Sequence, residues 1–180
     1  MAVQPGDTLR DTATETAVRF RQPEVADAAS IWCLVRESGV LDVNSQYAYL
    51  LICDHFSRTS VVACDAQNRL IAFVAAYSPP HKSDTVFVWQ VGVSAAWRKQ
   101  GLAKRLLHQL LQLPACKDTN FLEATVTPSN VASRRLFAAL ARDVQAELNI
   151  SAGYEACHFS TESSHEAEEL FRIGPFQTQS

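Results

Sequence analysis

The chain has no excess of basic charge: across 180 residues, 16 Lys and Arg face 19 Asp and Glu, a formal net charge of -3. That balance leaves no electrostatic footprint for nucleic acid, and the basic residues do not gather into long runs. No C-x-x-C pair occurs among the five cysteines, at positions 33, 53, 64, 116 and 157. Their odd number and scattered spacing suggest neither a zinc ribbon nor a complete disulfide framework. Buried free thiols in a reducing, cytoplasmic compartment are expected instead. Long apolar runs are also missing. The longest, Leu70 to Tyr77, is far too short to span a bilayer, and residues 1–18 lack the apolar core of a secretion signal. No internal repeat or low-complexity linker divides the chain. At 47% apolar and 19% charged residues, it reads as one domain over residues 17–176, large enough for a core without staples, behind a flexible tail at 1–16.

Periodicity supplies the elements. "AVRFRQP" (17–23) reads as a strand, and "PEVADAASIWCLVRESG" as a helix that Gly39 ends. "LDVNSQYAYLLICDHF" offers capping residues and then a second helix. "SVVACDA" and "RLIAFVAAYS" read as a hairpin around "DAQN", with "TVFVWQVGVS" as its third antiparallel partner. "GLAKRLLHQLLQL" places Leu102, Leu106, Leu110 and Leu113 on one helical face before Pro114. "NFLEATVT" is a strand, and "PSNVASRRLFAALARD" a helix with Thr127 as its expected cap and Pro128 at its first position. Short strands close the chain near "VQAELNI" and "EELFRI". The order β α α β β β α β α β β combines a meander with one strand-helix-strand crossover. It implies an α/β (α+β) fold with a mixed sheet of six to seven strands and helices on both faces.

The junction "WQVGVSAAWRKQGLAKRLL" (89–107) is the first functional candidate. Its Arg98, Lys99 and Gly101 make either a solvated tight turn or a cradle in which unpaired N–H groups at a helix start hold phosphate. Gly101 would let a diphosphate approach the backbone closely. The helix dipole adds only about 0.3–1 kcal/mol, so Arg98 and Lys99 would supply further attraction. Lys104 and Arg105 read as a solvated helix face.

This stretch resembles the acyl-CoA signature of the GNAT N-acetyltransferases, Arg-x-x-Gly-x-Ala at Arg98, Gly101 and Ala103. "TPSNVASRRLF" resembles their second signature, at Asn130, Ser133, Leu136 and Phe137. The resemblance implies a GNAT fold binding acetyl-CoA as co-substrate. Val91 and Val93 would pair their main chain with pantetheine, Lys99, Gln100, Gly101, Leu102 and Ala103 would surround the diphosphate with Arg98, and Asn130, Ser133 and Phe137 would lie near the pantetheine arm. Many members carry Tyr where this chain has Phe137, and that phenol would protonate the departing thiolate. Phe137 cannot, so another acid, a water or no dedicated acid serves.

The flanks "RFRQPEVADAASIWCLVRESG", "SGVLDVNSQYAYLLICDHF" and "HEAEELFRI" resemble the diaminobutyrate acetyltransferases, the GNAT branch that acetylates L-2,4-diaminobutyrate on its side-chain amine in ectoine biosynthesis. The likeness spans Val18 to Ile173, and family analogy adds a homodimer. An alkyl ammonium must lose its proton before it attacks a thioester, at a cost of about 4.6 kcal/mol at pH 7. A proton acceptor and anionic groups are therefore expected. Glu123, isolated in an apolar strand, is either an edge charge or the acceptor, or an ammonium ligand. Asp42 is either an ammonium clamp or a helix cap, as are Asn44 and Ser45. Tyr47 either offers its hydroxyl to substrate or packs on Leu51. Trp89, which shares strand parity with Val91, either walls the amine pocket or sits in the core. His165 and Glu168 are either substrate-site residues or a solvated acidic helix start. A zinc site in "HEAEE" would need His at position 169, which is Glu169, so no metal is implied. Without a supported Cys nucleophile, direct transfer in a ternary complex is expected, with main-chain N–H groups around Val91 steadying the oxyanion.

Overall fold

Eleven elements follow one another in the expected order in a computed structural model that describes residues 18–160 and 165–176. The expected tail at 1–16 lies outside the described residues. The strands are β1 (Arg19–Arg21), β2 (Val61–Cys64), β3 (Leu70–Tyr77), β4 (Thr85–Val93), β5 (Phe121–Val126), β6 (Leu148–Ala152) and β7 (Glu169–Ile173). The α-helices are α1 (Ala28–Ser38), α2 (Gln46–His55), α3 (Leu102–Leu111) and α4 (Val131–Asp143). They build a mixed sheet in the order β1-β2-β3-β4-β5-β7-β6. Only β4 and β5 run parallel, joined by the α3 crossover.

Apolar residues on the two faces of the sheet bury two clusters. One joins α3 and α4 to the sheet through Leu106, Leu107, Leu110 and Leu140, and the other joins α1 and α2 through Ile31, Val35, Tyr49 and Ile52. Burying each large aliphatic side chain stabilises the fold by about 1.5–3 kcal/mol.

Local chemistry moves several boundaries. Helix α1 is preceded by a 3-10 turn, Val25–Asp27, because the Asp27 carboxylate accepts from the Glu24 N–H at 2.7 Å and from Arg21 at 2.6 and 2.8 Å. Gly39 ends α1 in the left-handed region, at φ 65°. Helix α4 starts three residues later than expected. The Asn130 N–H donates to the Thr127 carbonyl in a turn, while Asn130 Oδ1 caps the Ser133 N–H at 3.0 Å. Leu113 lies past the end of α3, and Leu107 takes a place in its buried face. Ser45, rather than Asp42 or Asn44, caps α2 by accepting from the Ala48 N–H at 3.2 Å.

The expected parity of Trp89 with Val91 fails. Ala75 pairs with Gln90 and Ala76 with Val88, so Trp89 is the extra residue of a β-bulge. Trp89 packs with the α1–α2 cluster, whereas Val91 packs with the α3–α4 cluster. Cysteine burial is also uneven. Cys53, Cys64 and Cys116 are buried, Cys33 is half-buried, and Cys157 is exposed rather than buried. Burial pushes the Cys53 and Cys116 thiols up to about 11, which leaves them poor nucleophiles.

Candidate active site

Parallel pairing of β4 with β5 lasts only from Thr85 and Phe121 to Phe87 and Glu123. Beyond it β4 stays on β3 and β5 stays on β7, so the sheet opens between them. A cavity of about 560 Å³ occupies the opening, with Val88 to Val91 on one wall and Ala124 to Thr127 on the other. Asn130, Ser133 and Phe137 reach it from α4. Phe137 is buried, with its ring 6.2 Å from that of Phe171.

Part of the cavity wall is acidic. Asp42, Glu166 and Glu168 line it together with His165, Phe159 and Asn44. The His165 ring stacks on Phe159 at 3.9 Å. His165 Nδ1 is 2.8 Å from the Glu166 carbonyl oxygen. A carbonyl only accepts, so Nδ1 carries the proton and Nε2 presents its lone pair in the neutral ring. Nε2 lies 3.8 Å from both Asp42 Oδ2 and Glu168 Oε1. His165 to Glu168 form no helix; they lead directly into β7. Ser129 Oγ bonds the Glu166 carboxylate, tying the turn between β5 and α4 to this cluster. Burial pushes the Tyr77 phenol on the cavity wall upward, with the Tyr154 phenol adding to the shift, so Tyr77 stays protonated.

Two expected residues stand elsewhere. Glu123 does not line the cavity. Its carboxylate, 3% exposed, is held by Lys82 Nζ at 2.8 and 3.1 Å and by the Arg172 guanidinium. A carboxylate paired with two cations is a structural anchor, which argues against the proton acceptor expected there. Tyr47 is 67% exposed in the first turn of α2 and also lies outside the cavity wall. Sequence reasoning overlooked Gln90, Phe159 and Glu166. Gln90 carried a signal, as a lone amide in an apolar strand; Phe159 had none, because its partner His165 is set by the fold.

The Arg98–Gly101 turn lies beyond β4 and outside this cavity. Lys99 and Gly101 have φ 62° and 74°, and a Cβ built on Gly101 meets no atom within 4 Å. The first N–H to close a bond onto the turn is that of Arg105, to the Gly101 carbonyl at 3.1 Å. The N–H groups of Leu102, Ala103 and Lys104 precede any helical carbonyl and are the donors a diphosphate would use. The Leu102 side chain itself is buried in the core. Arg98 braces the turn by donating to the carbonyls of Val93 at 3.2 Å and Ser38 at 3.3 Å. Gln100 donates to Ala96. Val93 packs against the α3–α4 cluster. These residues fit the diphosphate and pantetheine of acetyl-CoA. Among the described residues, no three His, Cys, Asp or Glu side chains gather as metal ligands.

A sheet split between two parallel strands, with a helix start of unpaired N–H groups following one of them, is the arrangement of an acyl-CoA-dependent transferase. Residues 27–141 match the Acetyltransferase (GNAT) family, and the chain belongs to it. It is 46% identical over 160 residues to the L-2,4-diaminobutyric acid acetyltransferase of Marinococcus halophilus, covering 89% of this chain and 91% of that one. It is 42% identical to the protein of the same name from Halalkalibacterium halodurans, over 97% and 88% of the two chains. Among solved structures it is similar to diaminobutyrate acetyltransferase EctA from Paenibacillus lautus, in complex with L-2,4-diaminobutyric acid and coenzyme A. There the TM-score is 0.86 and the identity 41%, over 92% of this chain and 99% of that one.

Proposed function

We propose that this chain transfers the acetyl group of acetyl-CoA to the 4-amino group of L-2,4-diaminobutyrate, the acetylation step of ectoine biosynthesis. The relatives named for this substrate support the acceptor, and the carrying observation is the acidic cluster around His165 on the cavity wall. Asp42, Glu166 and Glu168 attract the two ammonium groups of the substrate. His165 Nε2 takes one proton from the 4-ammonium and passes it to solvent. The freed amine attacks the thioester carbonyl, and unpaired N–H groups on the open edge of β4 near Val91 steady the oxyanion. When the carbon–sulfur bond breaks, the second proton lost by the nitrogen ends on the thiolate, so Phe137 need not supply one. Both amines of the substrate are basic, so regiochemistry comes from positioning between the acidic cluster and the open strand edge. None of the five cysteines lines the cavity, which supports direct transfer.

A cytoplasmic homodimer completes the reading. Val40, Val43, Tyr47 and Leu50 are exposed around the start of α2, and this apolar surface supports burial against a second copy. Among the described residues, no helix is long and apolar enough to cross a membrane. The test is thiol release from acetyl-CoA with diaminobutyrate, ornithine, lysine and a peptide as acceptors, followed by product mass and NMR regiochemistry. Diaminobutyrate is expected to react fastest, at the 4-amine. A faster acceptor among the others, or acetylation at the 2-amine, overturns the proposal. Sedimentation at micromolar concentration tests the dimer.

A further inference from the structure

We infer that Tyr49 and Gln90 form a positioning relay that fixes where Asp42 stands at the acceptor end of the cavity. The inference rests on the diaminobutyrate reading for its substrate and on the following geometry alone for its mechanism. Gln90 Nε2 donates to the main-chain carbonyl of Asp42 at 2.9 Å. Because that carbonyl can only accept, the amide nitrogen must face it and Oε1 must face the other way. There the Tyr49 hydroxyl donates to Oε1 at 3.1 Å. Both ends of the amide are thus committed. Tyr49 is 0% and Gln90 8% exposed, and Tyr49 belongs to the apolar cluster of α1 and α2.

An apolar pair would fill the same space without any polar group to desolvate, so hydrophobic packing does not account for this chain of bonds. Its distinctive product is directional. Within one protomer the segment 39–45 between α1 and α2 has little burial of its own: Leu41 packs on the α1–α2 cluster, while Val40 is 78% and Val43 54% exposed. It still supplies Leu41, Asp42 and Asn44 to the cavity wall. The Asp42 side chain is 84% exposed and lies 3.8 Å from His165, so its own contacts hold it loosely. The bond from Gln90 anchors the Asp42 backbone to β4 at the residue that follows the Trp89 bulge. Tyr49 meets the bulge residue as well as the one after it, since its ring also lies 5.9 Å from the Trp89 ring. The relay therefore sets the span between the open edge of β4, where the acyl group is attacked, and the carboxylate that receives an ammonium. A fixed span favours one diamine length over the next.

Tyr49→Phe removes only a hydroxyl and, unlike Gln90, Tyr49 does not line the cavity. The variant is expected to raise KM for diaminobutyrate about 5- to 10-fold, with kcat and KM for acetyl-CoA within about twofold of wild type. The ratio of kcat/KM for diaminobutyrate over ornithine should shrink, and amide hydrogen exchange at residues 40–44 should speed up. Gln90→Met should accelerate the same amides and raise the same KM. Unchanged exchange at 40–44 with unchanged KM in both variants overturns the relay. So does a parallel change in kcat, both KM values and Tm, which marks a merely structural role. If wild type turns over another amine instead of diaminobutyrate, the substrate reading fails, while exchange at 40–44 in Tyr49→Phe still decides the relay.

Discussion

Glu123 and Arg172 stand opposite each other across the antiparallel β5–β7 ladder, and their side chains meet in an ion pair. The Arg172 guanidinium also stacks 3.6 Å over the Phe121 ring, and Lys82 closes on the same carboxylate from the loop before β4. Glu123 occupies the last parallel rung with Phe87, so this cluster anchors the point where the sheet opens. Glu123→Gln leaves two cations over a neutral amide. The expected cost is about 3 kcal/mol, the low end for breaking a buried pair, because both cations are partly exposed. A lower Tm with an unchanged shape of the pH–rate profile is the expected result. Loss of one limb of that profile would restore Glu123 as a proton acceptor.

His165→Ala removes the proposed proton acceptor. Turnover should fall about 100-fold or more, with KM for acetyl-CoA unchanged and partial rescue by added imidazole. Thiol release over a range of acetyl-CoA concentrations, with and without imidazole, measures all three.

Gly101→Ala puts a side chain into open space at φ 74°, so strain and not collision is the cost. The variant should lose about 1 kcal/mol of stability, and its affinity for coenzyme A should fall about 10-fold as the donors at the helix start shift. Calorimetry with coenzyme A reads the second effect, and KM for diaminobutyrate should not follow it.

Asp27 links β1 to the approach of α1. Burial acts to raise its carboxyl, but the Arg21 hydrogen bond and the Glu24 N–H outweigh it and hold the carboxyl below its ordinary value of 3.8. A group lowered in the fold contributes stability that is present above the unfolded value and lost as pH falls through the folded one. Asp27→Asn should therefore reduce the urea midpoint at pH 7, and the gap from wild type should narrow as pH falls below 3.8 and through the lowered folded value. Urea titrations at pH 7, 4 and 3 check the sign.

Much of the architecture was legible because it is written in short-range periodicity. The hairpin at Asp65–Asn68, the crossover through α3 and the leucine face at 102, 106 and 110 depend on neighbours within one or two turns. What misled the reading was made by pairing at a distance. Trp89 lost its parity to a bulge that exists only in register with β3. Glu123 looked isolated because its cations come from Lys82 and Arg172, each 41 or more positions away. Asn130 took the cap expected of Thr127, since both types suit the position and only the turn geometry selects between them. At the site, Asp42, Asn44, Trp89, His165 and Glu168 do converge on one cavity, while Tyr47 stays on the surface.

The parting of β4 from β5 has a cost when no ligand is bound. It leaves main-chain donors and acceptors of an interior strand without a strand alongside, the kind of ragged border through which sheet proteins stick to one another. A pantetheine arm laid there would act as a temporary eighth strand. Purified protein should therefore keep better, and melt higher, when coenzyme A is included in the buffer: at one hundred times its dissociation constant the ligand adds about 2.7 kcal/mol.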